Sequence, residues 1–266
     1  MFNWDSRSHI EEMADFRVER PEFIINWIGQ AGFVFQTAGG AVICIDPYYS
    51  NSIERYEGRP ARRMWYNKFK IANFRPGLVL CSHDHLDHTD PETLPLIYTY
   101  SDAVFAGPPS SISHMRRMRF CNERLLELKI GEKYRFRDVV YTPVFAAHTE
   151  DSMGFIFEIE GVKVYFTGDT SLSAPLFEHE GVDVLLACIN AKYGNLTIEE
   201  AAVLYRRLGA KLLIPMHYGL IPNNTVDVSL FVQHYEEEEI RCLVMDVEQH
   251  YYFKKAGEVI EVRKEK

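Results

Sequence analysis

The sequence has no apolar run approaching the roughly 20 residues that a membrane-spanning helix requires, so a membrane span is not expected. It also has no excess of positive charge. The 29 basic residues face 38 acidic ones, for a net charge of −9 that argues against a nucleic-acid-binding protein. The first residues, 1–7, lack the basic and then apolar layout of a signal peptide, and residues 1–22 are predicted to form a short helix or arm.

Cysteine is scarce and its number is odd, which excludes a complete disulfide framework. The five residues are scattered through the chain, and most lie inside apolar, strand-like stretches: Cys44, Cys81, Cys121, Cys188 and Cys242. Such cysteines are typically small buried side chains. We therefore expect a protein of the reducing cytoplasm.

What the chain does have is a dense cluster of polar ligands behind a short apolar stretch. Residues 79–81 are predicted to form a buried strand, and His83, His85, Asp87 and His88 follow within seven residues. In an extended segment, residues two apart point the same way, so His83 and His85 can hold one ion. Asp90 is a plausible N-cap of the next helix, and the turn into that helix would direct Asp87 and His88 to a neighbouring point. A polar surface loop is the alternative, but such tight clusters seldom occur without a metal.

Other candidate ligands also follow predicted strands. Asp46, His148, Asp169 and His217 each come directly after an apolar, β-rich stretch. Functional residues collect at strand ends because the rigid strand fixes their direction while leaving them reachable. Imidazole and carboxylate ligands without a nearby thiolate suit zinc, manganese or iron.

The remaining patterns predict alternating strands and helices. A hairpin is expected across residues 160–161, and a helix at 197–208 carries a capping box of Thr197 and Glu200 with Gly209 at its end. A second helix is predicted at 226–239, and residues 242–245 are predicted to form a strand. No linker divides the chain, so residues 1–266 are interpreted as a single domain.

The His-x-His-x-Asp-His motif at 83–88 resembles that of the metallo-β-lactamase-fold hydrolases. Three further stretches, at 168–170, 189–201 and 210–217, resemble the branch that includes L-ascorbate-6-phosphate lactonase. The resemblance covers about residues 23–217. It implies an α/β fold, an αββα sandwich of two mixed β-sheets flanked by helices.

The resemblance also implies a dinuclear site. One ion would be held by His83, His85 and His148, and a second by Asp87, His88 and His217, with Asp169 bridging the two. The cofactors would be two divalent ions, zinc or manganese first and iron as an alternative, which together lower the pKa of a shared water. Asp87 and Asp169 are the catalytic candidates.

Asp46 is expected to act one shell out from the ions, by fixing a ligating histidine.

Substrate contacts are predicted from two segments. Residues 48–76 are too long for a simple connection and form a candidate lid, from which Arg62 and Arg63 could hold an anionic group. A solvated basic face is the alternative for these arginines. The other candidates follow strands, although a plain strand-to-helix loop would explain the first three equally well: Asn190, Lys192, Tyr193 and Tyr218.

These observations predict a metal-dependent hydrolase of a small polar substrate, foremost a lactone such as that of a phosphorylated sugar acid. Two alternatives stay open: phosphodiester hydrolysis at the same metal pair, and a metal-binding or ligand-sensing protein without turnover. We expect an anionic small-molecule substrate and a homo-oligomer, with neither nucleic acid nor membrane as a partner.

Overall fold

The computed structural model of the protein describes residues 18–68 and 70–265. The predicted N-terminal helix or arm lies almost wholly outside the described residues. Within them, the chain forms two β-sheets that face each other, with helices on the outside, which confirms the predicted αββα sandwich. None of the helices in these two ranges is long and apolar enough to cross a membrane.

The larger sheet has eight strands in the order β14-β13-β1-β2-β3-β4-β5-β6. They are β1 (Phe23–Gly29), β2 (Gly32–Thr37), β3 (Val42–Ile45), β4 (Leu78–Leu80), β5 (Val104–Gly107), β6 (Leu125–Glu127), β13 (His250–Ala256) and β14 (Val259–Lys264). Strands β3 to β6 are parallel to one another, and the other pairs are antiparallel.

The smaller sheet has six strands in the order β12-β11-β10-β9-β8-β7. They are β7 (Tyr134–Phe136), β8 (Val139–Phe145), β9 (Met153–Ile159), β10 (Val162–Phe166), β11 (Val184–Cys188) and β12 (Leu212–Met216). The pairs β10–β11 and β11–β12 are parallel, and the remaining pairs are antiparallel.

The described α-helices lie between or after these strands. They are α1 (Ser52–Glu57), α2 (Thr93–Tyr100), α3 (Pro109–Arg117), α4 (Ile198–Leu208) and α5 (Val228–Glu237). Short 3-10 helices occupy Arg59–Ala61, Ile71–Asn73, Asn122–Arg124 and Ala174–Glu178.

Alternation along the strands of the larger sheet creates two separate cores. In β1, Phe23 and Ile25 face the smaller sheet, whereas Ile24 belongs to the cluster on the outer face, where α2 and α3 pack. The inner core is rich in aromatic side chains, and Phe35 and Phe157 meet edge to face with ring centroids 4.9 Å apart across the two sheets. Both faces of this sheet are therefore buried, which fits its apolar strands.

Most predicted elements are confirmed. The hairpin across 160–161 joins β9 and β10, and α4 has the Thr197–Glu200 capping box with Gly209 in the left-handed conformation at its end. The prediction at 242–245 was wrong, because that segment makes only an isolated bridge between Cys242 and Leu213. Helix α2 begins at Thr93 rather than beside Asp90, whose carboxylate instead accepts hydrogen bonds from Ser50 and from the Glu92 amide.

Candidate metal centre

Strands of the same direction deliver the candidate ligands to one edge of the sandwich. Strands β1, β3 and β4 of the larger sheet run in one direction, as do β8, β10 and β12 of the smaller sheet. A polar residue follows the carboxyl end of each strand: Gln30, Asp46, the segment 83–88, His148, Asp169 and His217. Binding sites in α/β folds characteristically form at such strand ends.

The segment 83–88 is not extended, although its side chains converge as expected. It runs through bends and a turn, and the His88 and Thr89 amides both donate to the His85 carbonyl oxygen. His83 Nε2 lies 3.0 Å from His85 Nδ1, and His148 Nε2 lies 3.2 Å from the same atom. A bend, rather than strand alternation, therefore brings these three imidazoles together.

A second group of donors lies beside the first and is more deeply buried. His217 Nε2 is 3.3 Å from Asp87 Oδ2, and His88 Nε2 is 3.8 Å from Asp87 Oδ1. Asp169 Oδ2 stands between the groups, 3.2 Å from His217 Nε2, 3.5 Å from His88 Nε2 and 3.8 Å from His148 Nε2.

These separations fit metal coordination. Tetrahedral zinc ligands at about 2.0–2.2 Å from the ion lie roughly 3.3–3.6 Å from one another, close to the spacings here. In three overlapping sets, the donor atoms all lie within 4.8 Å of one another: His83–His85–His148, His83–His88–Asp169 and Asp87–His88–His217. Asp169 Oδ1 and His88 Nε2 are buried and have no hydrogen-bond partner among the described residues, as expected of atoms whose partner is an ion.

The electrostatics of the buried group favour a positive charge between the carboxylates. Burial opposes a charge on His217, but Asp169 and Asp87 outweigh it and raise the pKa of His217 to about 9. Burial, reinforced by His88, holds the pKa of His83 well below its ordinary value, so that imidazole is neutral and able to donate a lone pair. The two groups thus differ: the first contains His83 with its lowered pKa, and the other has carboxylates that attract a cation.

Residues beyond the candidate ligands hold them in place. Asp46 Oδ2 lies 2.7 Å from His88 Nδ1, and it also accepts a hydrogen bond of 2.6 Å from Ser82 Oγ. With Nδ1 donating to the carboxylate, the His88 Nε2 lone pair faces the candidate metal position. This is the place that the sequence analysis expected for Asp46.

Two supporting residues were missed by the sequence analysis as site residues. Gln30 Nε2 donates to Asp87 Oδ2 at 2.8 Å, and the His217 amide donates to the Gln30 carbonyl at 2.8 Å. Asn195 Nδ2 donates to Asp169 Oδ2 at 2.7 Å and to Asn190 Oδ1 at 3.0 Å. Gln30 and His217 both have positive φ angles, of 53° and 64°. Such backbone conformations in non-glycine residues often mark functional sites.

Gly168 permits the close approach of the neighbouring strand β9 beside Asp169. Its φ is 63°, and a Cβ atom there would lie only 2.8 Å from the Met153 carbonyl oxygen. The signal for this position was visible in the sequence as the Gly168-Asp169 pair after an apolar strand. A side chain at 168 would displace the carboxylate that stands between the two donor groups.

The candidate centre opens into a cleft of about 550 Å³. Its described lining residues are Ile53, Glu57, Asp84, His85, Leu86, Asp87, His114, His148, Thr149, Asp169, Tyr193, Ile221, Asn223 and Asn224. Tyr193 thus lines the cleft, and Asn190 lies behind its wall, where Nδ2 donates to Asn224 Oδ1 at 2.6 Å. Lys192 is exposed beside Tyr193 and does not line the cleft.

Three predicted substrate contacts are placed elsewhere. Arg62 is exposed and outside the cleft wall, whereas Arg63 is buried and donates to the Ser50 carbonyl at 3.0 Å. Tyr218 is in the core between the sheets, with its ring stacked on Trp27 at a centroid distance of 4.9 Å. Tyr218 follows the end of β12, and its side chain points into the core rather than into the cleft.

The candidate lid does contact the cleft. Tyr48, Ile53 and Ala61 pack against Leu220 and Ile221. Ile53 and Glu57 of α1 form part of the cleft wall.

Comparisons with known proteins agree with this architecture. A sequence model of the beta-lactamase superfamily domain matches residues 24–217. A UPF0173 protein of Pyrococcus furiosus is 27% identical over 231 residues, covering 86% of this chain and 98% of its own. A UPF0173 metal-dependent hydrolase of Anaeromyxobacter dehalogenans is 28% identical over 228 residues, covering 74% of this chain and 75% of its own.

Among solved structures, the metallo hydrolase Igni18 of Ignicoccus hospitalis superposes with a TM-score of 0.71 at 22% identity. The match covers 88% of this chain and 100% of Igni18. At 22% identity, it supports a shared fold and nothing further. The matched range includes every strand end that carries a candidate ligand, from Asp46 to His217. The chain therefore belongs to the beta-lactamase superfamily domain family.

Proposed function

We propose that the protein is a metal-dependent hydrolase that holds two divalent ions at the candidate centre and hydrolyses a small polar lactone. The observation that carries this proposal is the convergence of seven donor residues from four chain segments, with Asp169 between two groups. The name "metal-dependent hydrolase" borne by several relatives supports the reaction class.

The imidazole and carboxylate donors of the candidate centre match the ligand preferences of the divalent ions that catalyse hydrolysis. His83, His85 and His148 would hold one ion, and Asp87, His88 and His217 the other, with Asp169 shared. When bound, a pair of divalent ions supplies Lewis acidity and lowers the pKa of water. Zinc and manganese both accept this mixture of imidazole and carboxylate ligands, and iron is the third choice.

The protein's own residues orient this machinery. Asp46 fixes the tautomer of His88, Gln30 fixes the Asp87 carboxylate, and Asn195 fixes that of Asp169. His85 is the most exposed donor and lines the cleft together with His148, so substrate would meet their side of the centre first. The amide side chains of Asn223 and Asn224 stand in the same wall, where they can hydrogen-bond a carbonyl oxygen.

The lactone is proposed on the sequence segment 189–201, which resembles the L-ascorbate-6-phosphate lactonase branch. In the structure, this segment supplies Asn190 and Asn195 behind the centre and Tyr193 in the cleft wall. The test is a screen of lactones and phosphodiesters with zinc- and manganese-loaded protein. We expect metal-dependent turnover of a lactone, and turnover of phosphodiesters alone would replace the proposal by its alternative.

Replacement of Asp169 is the matching mutational test. Asp169→Asn removes the charge shared by the two donor groups, so we expect metal occupancy to fall and lactone turnover to drop at least 100-fold. Metal content and activity are measured on the same preparation, with Asp246→Asn on the surface as the control. Full occupancy and activity in Asp169→Asn would contradict the bridging role.

A further inference from the structure

The described wall of the cleft contains carboxylates and no arginine or lysine. Besides the donors Asp87 and Asp169, it carries Glu57 from α1 and Asp84 from the metal motif. The rest of the wall includes the apolar side chains of Ile53, Leu86 and Ile221 and the amides of Asn223 and Asn224.

His114 is the remaining basic side chain in the wall, and it is already engaged. Its Nε2 lies 3.5 Å from Asp84 Oδ2. Burial, together with the nearby Arg117, lowers the pKa of His114 below its ordinary value. The imidazole is therefore a neutral hydrogen-bonding group near pH 7 and adds no fixed positive charge to the wall.

Two arginines of the lid segment are committed elsewhere, and Arg62 is exposed outside the cleft wall. Arg63 donates to the Ser50 carbonyl at 3.0 Å and to Asn67 Oδ1 at 2.5 Å, and its guanidinium lies 5.1 Å from the Tyr48 ring centroid. Arg55 of α1 pairs with Glu92. Neither guanidinium can reach a substrate without breaking these contacts, so the segment offers a structural arginine where an anion clamp was expected.

We propose that the cleft selects uncharged substrates over phosphorylated or otherwise anionic ones, and that Glu57 is a residue that determines this specificity. The inference deepens the proposed hydrolase function and rests on it. Glu57 and Asp84 repel an anionic substituent that extends from the metal centre toward the rim, while Ile53, Leu86 and Ile221 accept an apolar ring face.

The same charges help the product to leave. In lactone hydrolysis, the ring C–O bond breaks, the oxygen of water bonds to the carbonyl carbon, and one proton of water passes to the released ring oxygen. The new carboxylic acid then loses its proton, which is the other proton of that water, to solvent. An uncharged substrate thus becomes an anion inside a wall of carboxylates, which favours its release.

The kinetic test compares D-glucono-1,5-lactone with its 6-phosphate on the metal-loaded full chain. The wild type is expected to have the higher kcat/KM for the uncharged lactone. Glu57→Lys should raise the relative kcat/KM of the phosphate about two- to fivefold, the usual size of an effect from one exposed charge. Glu236→Lys, on the exposed face of α5, makes the same charge change away from the cleft and should leave the ratio unaltered.

A binding test separates this inference from the reaction proposed above. The affinity of the same metal-loaded proteins for inorganic phosphate is measured by calorimetry, which needs no turnover. Glu57→Lys should bind phosphate about two- to fivefold more tightly than the wild type and Glu236→Lys. Absence of lactone turnover would refute the proposed reaction, while this comparison would still decide the charge preference. Equal phosphate affinity in all three proteins, or a wild type that prefers the phosphorylated lactone, would overturn the inference.

Discussion

Asp46 shows how a residue that touches no candidate metal position can control the centre. Its carboxylate is fully buried and meets His88 Nδ1 at 2.7 Å, the Ser82 amide at 2.7 Å and Ser82 Oγ at 2.6 Å. Burial raises the pKa of Asp46, and contact with His88 offsets part of that rise. The carboxylate thus fixes the ring orientation of His88 through a contact that a neutral amide would reproduce only in part.

Asp46→Asn is expected to weaken metal affinity about 10- to 100-fold while the fold is retained, because His88 loses its charged partner. Affinity is measured by competition with a chelator, and circular dichroism checks the fold. Asp138→Asn serves as the control. The Asp138 carboxylate accepts hydrogen bonds from Thr37 and Gly39, which are not part of the candidate metal centre. Unchanged affinity in Asp46→Asn would refute the orienting role.

At the residue scale, the sequence predicted the side chains of the donor set better than their supports. The residue type and spacing of His83, His85 and His88 indicate metal ligands, and the structure brings the three side chains together. Gln30 gives no such signal, because a glutamine after a strand is common and its contact with Asp87 joins residues far apart in sequence. The prediction that Arg63 contacts substrate depended on charge and spacing alone. These features do not indicate that the Arg63 side chain is buried and donates to the Ser50 carbonyl.

The lid segment is held by one small cluster. Trp65 packs with Tyr48, Ile53 and Ile221, and its Nε1 donates to the Gly219 carbonyl at 2.7 Å. Gly29 makes room for this ring, since a Cβ there would lie 2.5 Å from Trp65 Cη2. The segment is therefore anchored to the loop after β12, the loop that also carries Asn223 and Asn224.

Trp65→Ala should release this anchor. The change removes the indole packing and one hydrogen bond, and we expect about 1–2 kcal/mol of lost stability, less than for a fully buried tryptophan. Hydrogen exchange should accelerate in residues 48–68 and around Gly219, with little change in the sheets. Tyr56→Ala, at a side chain 75% exposed, is the control. Faster exchange throughout the chain would contradict a local anchor.

At the element scale, hydrophobic periodicity predicted most strands correctly. It failed where contacts between distant segments determine whether a strand forms. Most strands from β1 to β12 have apolar, buried sequences, with β6 and β7 as exceptions. The metal-motif strand, predicted at 79–81, is found one residue earlier as β4. Residues 242–245 have the same composition, yet only Cys242 bridges to Leu213, because the chain leaves the sheet edge there. Edge pairing depends on the path of neighbouring segments, which a local pattern does not contain.

Across the whole molecule, Asp183 ties the two sheets together. It precedes β11, accepts a hydrogen bond of 2.9 Å from the Lys163 amide, and meets Lys255 Nζ of β13 and Lys211 Nζ at 3.0 Å each. Burial alone would raise the pKa of Asp183, but these partners outweigh it and lower the pKa. The ionised carboxylate is thus favoured by the folded state.

Asp183→Asn is expected to lower the free energy of unfolding by about 1–3 kcal/mol, because charged hydrogen bonds are lost at a buried position. A lowered pKa in the folded state stabilises the protein above the ordinary aspartate pKa of about 3.9, and this contribution disappears as pH falls below it. The difference between wild type and variant, measured by urea unfolding, should therefore be constant near pH 6–7 and shrink toward pH 3. A difference that grew on acidification would contradict this account.

The most direct test of the central claim is the metal content of the purified protein after reconstitution with zinc or manganese, measured by mass spectrometry. A dinuclear centre predicts about two equivalents per chain in the wild type. His217→Ala should lose one equivalent or more, since His217 contacts both Asp87 and Asp169. A wild-type protein that binds no metal after reconstitution, or a His217→Ala variant that retains both equivalents, would contradict the site as described.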